Sequence, residues 1–140
     1  MIKCVVVYVA LLRGINVGGN SKVSMSELKS CFEKLGFENV TTYINSGNVV
    51  FKTDKRNEEE LITVIENKLM QFFSFPVKIV LISLDQMEKI VKEMPTSWSG
   101  TNIRCYVSFI KKPTTVDEAY AEEEVREGID TAKKGPGVIY

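Results

Sequence analysis

Two kinds of apolar periodicity alternate along this chain, and their order predicts an α+β fold. Residues 5–12 form an apolar, β-branched run, and residues 77–82 form another. Between them, two segments repeat apolar residues at helical spacing, and a pair of short strand-like runs flanks an Asn-Ser-Gly-Asn group. The resulting order is βαββαβ, the split βαβ or ferredoxin-like plan: an antiparallel sheet with its helices on one face.

Each element has a local reason. Val5 to Leu12 is apolar on both alternate faces, as expected of a central strand covered on both sides. Ser24 and Glu27 have the spacing of a capping box, and Met25, Leu28, Phe32 and Leu35 follow on one helical face before Gly36 closes the helix. Val40–Ile44 and Val49–Thr53 then pair as a hairpin around Asn45-Ser46-Gly47-Asn48, where Asn and Gly tolerate positive φ. Asn57, with Glu60 three residues on, opens a second helix carrying Leu61, Ile62, Ile65, Leu69 and Phe72, which Phe75-Pro76 ends. Val77–Ile82 completes an N-terminal subdomain, residues 1–83.

Residues 84–140 make a smaller αβαβ segment, a C-terminal α/β subdomain that reads as truncated. Ser83 and Gln86 have capping-box spacing ahead of Met87, Ile90, Val91 and Met94, and Pro95 stops that helix. Trp98 lies in a loop, either as an exposed interaction anchor or, the favoured reading, as a cover over apolar core. Ile103, Cys105, Val107 and Phe109 alternate as a half-buried strand, and Thr115 with Glu118 opens a helix bearing Val116, Ala119 and Tyr120. Gly135-Pro136-Gly137 is a turn into Val138–Tyr140, a final strand expected to leave a sheet edge exposed to another copy of the chain.

Composition narrows the chemistry. The chain has 140 residues, enough for a self-sufficient core, and its 18 basic residues balance 18 acidic ones. The overall charge thus offers no footprint for nucleic acid or anionic membrane. Histidine is absent, which removes His-based triads, imidazole acid–base chemistry and imidazole zinc sites. Cys4, Cys31 and Cys105 are widely spaced among apolar residues and read as reduced core thiols of a cytoplasmic protein. The N-terminal apolar run is too short to span a bilayer and lacks the build of a signal peptide. Asp54 and Glu58 to Glu60 suit a helix start better than a cation site, and Phe72, Phe73 and Phe75 suit the core better than a stacking platform. No metal or cofactor is implied.

The segment of most functional interest is Arg13-Gly14-Ile15-Asn16-Val17-Gly18-Gly19-Asn20, between a buried strand and a helix N-terminus. Such a loop exposes main-chain N–H groups beside the positive end of a helix dipole. In the predicted topology this loop and the Asn45–Asn48 turn lie at one end of the sheet. A site for a small anionic or nucleotide-like ligand follows: Arg13 as a bidentate clamp, Gly14, Gly18 and Gly19 shaping the loop and donating N–H groups, and Asn16, Asn20, Asn45, Ser46 and Asn48 reading polar edges. Lys22 adds charge at the rim. The loop lacks the Gly-Lys-Ser/Thr of a phosphate-binding P-loop and the glycine spacing and parallel unit of a dinucleotide fold. No residue is assigned a catalytic role. Were a reaction run here, group transfer relying on oriented binding and electrostatic stabilisation would suit these side chains better than proton shuttling. The alternative is a nucleic-acid-binding or protein-interaction module without catalytic activity, which the neutral charge balance disfavours for nucleic acid.

Ala10-Leu11-Leu12-Arg13-Gly14-Ile15-Asn16-Val17-Gly18-Gly19-Asn20 and Tyr43-Ile44-Asn45-Ser46-Gly47-Asn48-Val49-Val50-Phe51 resemble the two hallmark segments of the domain-of-unknown-function 1697 family of bacterial cytoplasmic proteins. The resemblance is sharp over the first fifty residues and loose after Ile82. It implies an α+β protein with a ferredoxin-like N-terminal half and no established activity. It also implies a further helical segment and an Arg-Asn-Trp motif beyond the position of Tyr140, which this sequence does not contain.

Overall fold

A computed structural model of the chain describes residues 5–16, 22–43, 47–54, 57–98, 104–128 and 130–140. It divides into two compact units, Met1–Leu84 and Asp85–Tyr140.

The first unit contains β1 (Val6–Arg13), α1 (Met25–Lys34), β2 (Glu38–Tyr43), β3 (Asn48–Thr53), α2 (Glu58–Phe73) and β4 (Lys78–Ser83). The four strands form one sheet in the order β2-β3-β1-β4, with every neighbouring pair antiparallel. Both helices start where their caps dictate. The Ser24 side chain accepts from the Glu27 N–H at 3.3 Å and the Asn57 side chain from the Glu60 N–H at 3.1 Å. The acidic residues 58–60 fill the first turn of α2, where they oppose its dipole.

One face of the sheet carries the core. Tyr8, Ala10 and Leu12 of β1 are buried, as are Val49 and Phe51 of β3, and they pack with Leu28, Cys31 and Phe32 of α1 and Leu61, Ile65 and Leu69 of α2. An aromatic cluster sits within it: Phe51 stacks on Phe37 with centroids 4.4 Å apart, and Phe32 and Tyr8 lie 5.4 and 5.9 Å from the Phe51 ring. Burial pushes the Cys31 thiol pKa up, which keeps it protonated and inert in this setting. The opposite face differs from expectation, because Val7, Val9 and Leu11 are half-buried rather than fully covered. Phe72 also departs from its core assignment: it is exposed, with the Lys34 ammonium 5.3 Å from its ring centroid.

Both outer strands carry local devices. The Glu66 carboxylate of α2 accepts from the Ile79 N–H of β4 at 3.0 Å. On β2 the register shifts between Glu38 and Thr41, and Asn39 has φ +51°.

The second unit contains most of α3 (Leu84–Lys92), a short 3-10 helix (Thr96–Trp98), β5 (Ser108–Phe109), α4 (Val116–Ala121), β6 (Lys134–Gly135) and β7 (Val138–Ile139). Thr115 caps α4 by accepting from the Glu118 N–H at 3.2 Å. Three sequence expectations change here. Among the described residues 104–109 only Ser108 and Phe109 form a strand, β5, and Cys105 is exposed rather than a core thiol; Cys4 and Ile103 lie outside the described residues. Trp98 lies in the 3-10 helix, half-buried. The final strand β7 is central, with β5 and β6 on either side, and Val138, Ile139 and Tyr140 are buried.

The Tyr140 hydroxyl donates to the Ile90 carbonyl at 2.6 Å, joining β7's end to α3. Burial, followed by the negative charges of Glu93 and Cys105, raises its pKa above the ordinary 10.0. The native state therefore holds this proton more tightly than the unfolded chain, so stability is full below about pH 10 and declines as pH rises further. Tyr140→Phe is expected to lose about 1 kcal/mol or more at neutral pH by stranding the Ile90 carbonyl, and to show a shallower alkaline decline. Urea melts at pH 7 and above pH 10 would measure both.

Candidate functional site

The end of β1 is where the sequence-predicted site falls, and the chain there turns sharply. Gly14 has φ +79° and Asn16 φ +53°, a left-handed pair that carries the backbone off the sheet. Ile15 between them is buried, as is Val23 beyond the loop. The Asn16 carboxamide joins the two flanks: its Oδ1 accepts from the Val23 N–H at 2.8 Å and its Nδ2 donates to the Val23 carbonyl at 3.0 Å. Asn16, expected to read a ligand's polar edge, thus spends both ends of its amide on closing the base of the loop. Gly18, Gly19 and Asn20 lie outside the described residues.

The β2–β3 turn meets this segment directly. The Leu12 N–H donates to the Gly47 carbonyl at 2.9 Å, so the end of β1 and the turn belong to the same end of the sheet. Gly47 has φ +84°, and a Cβ there would stand 2.6 Å from Ile15 Cδ1 and 2.9 Å from Leu12 Cβ. Nothing larger than glycine fits that contact. Asn48 Nδ2 donates to the Tyr43 carbonyl at 3.2 Å, tying the two strand ends across the turn. Asn45 and Ser46 lie outside the described residues.

Arg13 stands at this end of the sheet, and strand register adds a second cation to it. At the α1 N-terminus, Ser24 already serves the Glu27 N–H, and the Glu27 carboxylate occupies the first turn. That end of the helix is answered by its own residues, which lowers its pull on an outside anion. Two strand cations stand out instead. Arg13 and Lys78 are direct cross-strand partners on β1 and β4, and both side chains are exposed. Like charges so opposed repel, and a bound anion would relieve that repulsion. Lys78 was not among the sequence-predicted residues, because only strand register sets it opposite Arg13. Lys22, also exposed, precedes Val23.

Register assigns further residues to the same face. Directly opposed residues in antiparallel strands project to one side. Tyr43, Asn48, Leu11 and Val80 therefore form a row across all four strands, with Arg13 and Lys78 two residues further along. This face is the one turned away from Ala10, Leu12 and Val49 of the core.

The fold and this sheet end define an α+β protein with a four-stranded antiparallel sheet and a cationic margin. The family of proteins of unknown function DUF1697 matches residues 5–140, and the chain belongs to that family. Among solved structures, the chain is similar to the conserved bacterial protein SP0830 from Streptococcus pneumoniae. That likeness has a TM-score of 0.84 at 31% identity, covering 97% of this chain and 76% of that one. Comparison with curated proteins finds no match. Among the described residues, no helix is long and apolar enough to cross a membrane.

Proposed function

We propose that the chain binds a small anionic ligand at the end of the sheet bounded by the 13–20 loop and the 45–48 turn, on an N-terminal unit of ferredoxin-like plan. The opposed pair Arg13 and Lys78 carries this reading: two exposed cations held in register by a rigid sheet are a standing electrostatic cost that an anion converts into affinity. Asn16 and Gly47 are positioning residues, the first closing the loop at Val23 and the second joining the turn to Leu12. A cytoplasmic setting is part of the proposal, supported by the free thiols of Cys31 and Cys105.

Thermal denaturation with phosphate, pyrophosphate and citrate tests it. A ligand at a hundredfold excess over its Kd stabilises the native state by about 2.7 kcal/mol, a shift of several degrees. Wild type is expected to show that shift with at least one anion, and Arg13→Ala and Lys78→Ala to lose most of it. Lys78→Glu should also melt slightly higher than wild type without ligand, by a few tenths of a kcal/mol, since the exposed pair becomes attractive. Equal shifts in wild type and Arg13→Ala would refute the site.

A further inference from the structure

We infer that the anion is the phosphate of a nucleotide whose base stacks on Tyr43; the inference rests on the proposed anion site and names its ligand class. Tyr43 is 69% exposed at the end of β2, on the face and at the sheet end that also present Arg13 and Lys78. It heads the row Tyr43–Asn48–Leu11–Val80, so a ring lying against it has the half-buried Asn48 beside it and the half-buried aliphatic Leu11 and Val80 beyond.

The dimensions suit one small molecule touching both ends of this surface. Strands lie about 4.8 Å apart, so the Cα atoms of Tyr43 and Leu11, two strands apart, are separated by about 10 Å. Arg13 is two residues, about 7 Å, further along β1, and its long side chain can extend back over Leu11. By the same spacings the midpoint of Arg13 and Lys78 lies about 14 Å from the Tyr43 Cα, a span that base, ribose and phosphate cover once the long Arg13 and Lys78 side chains and the Tyr43 ring reach toward one another. Asn48 holds the Tyr43 carbonyl at 3.2 Å, fixing the backbone from which the ring projects. An inorganic anion would use the two cations and leave the tyrosine without a role. A nucleotide uses all three, because every base presents a π-face and its phosphate takes a guanidinium in bidentate geometry.

The experiment is an NMR titration of the full chain with AMP, ribose 5-phosphate and adenosine, on wild type, Tyr43→Ala, Tyr43→Phe and Lys78→Gln. Both replaced residues are exposed, and unchanged melting temperatures confirm folded variants. AMP is expected to bind wild type about tenfold tighter than ribose 5-phosphate. Tyr43→Ala should abolish that advantage, Tyr43→Phe should keep it, and Lys78→Gln should weaken both phosphates alike. If ribose 5-phosphate and AMP bind wild type equally, or Tyr43→Ala leaves the advantage intact, the nucleotide inference fails while the anion site stands. If no phosphate binds, both fail.

Discussion

Gly47→Ala is expected to lower the stability of the first unit by about 3 kcal/mol and the melting temperature by roughly 15 °C. Two costs add. A non-glycine residue at φ +84° sacrifices about 1–2 kcal/mol, and the new methyl, 2.6 Å from Ile15 Cδ1, forces repacking worth about 1–3 kcal/mol. Ile15→Val removes the Cδ1 atom that the methyl meets, so the double variant should be less damaged than the sum of the two singles. A double-mutant cycle by urea denaturation reads the coupling directly. A loss below 1 kcal/mol for Gly47→Ala would show that the turn and the end of β1 give way easily. Because the same contact aligns the loop with the turn, anion binding should weaken in the single variant and partly recover in the double.

Phe51→Ala is expected to cost about 3–5 kcal/mol, a large share of the 5–15 kcal/mol that holds a typical domain together. The ring is fully buried at the centre of the Tyr8, Phe32 and Phe37 cluster, so its loss opens a cavity that three aromatic neighbours, anchored on β1, on α1 and between α1 and β2, cannot collapse to fill. Phe51→Leu retains most of the volume and should cost far less. Chemical denaturation of the three proteins ranks them, and near-equal losses for Ala and Leu would mean that stacking geometry outweighs volume here.

The difference between what was legible in the sequence and what was not follows the range of the interactions. Ser24 with Glu27, Asn57 with Glu60 and Thr115 with Glu118 act within one turn of backbone, so their spacing identifies the helix starts. The hairpin turn is equally local, and the apolar spacing of Leu28 and Phe32, or of Leu61, Ile65 and Leu69, reports directly on the buried face. Lys78 is different in kind. Its place beside Arg13 depends on the register of two strands far apart in the chain, and a slip of one residue would turn it to the other face. Asn16 shows a subtler limit: a polar residue in a glycine-rich loop suits a ligand or the loop's own backbone equally well, and only coordinates reveal its two bonds to Val23. Cys105 differs because alternation at 103–109 resembles a strand, yet among the described residues 104–109 only Ser108 and Phe109 pair with β7. The central place of β7 is non-local in the same way as Lys78: only the pairing with β5 and β6 puts a strand on either side of it.

Glu66 has a bearing on how the protein behaves in company. An incoming strand that tried to extend the sheet past β4 would have to displace the Glu66 carboxylate from the Ile79 amide. On the other flank, the irregularity around Asn39 breaks the even ladder that such a recruit would need. Growth of the four-stranded sheet is thus discouraged at both margins, so a second copy of the chain gains little by adding a strand to it.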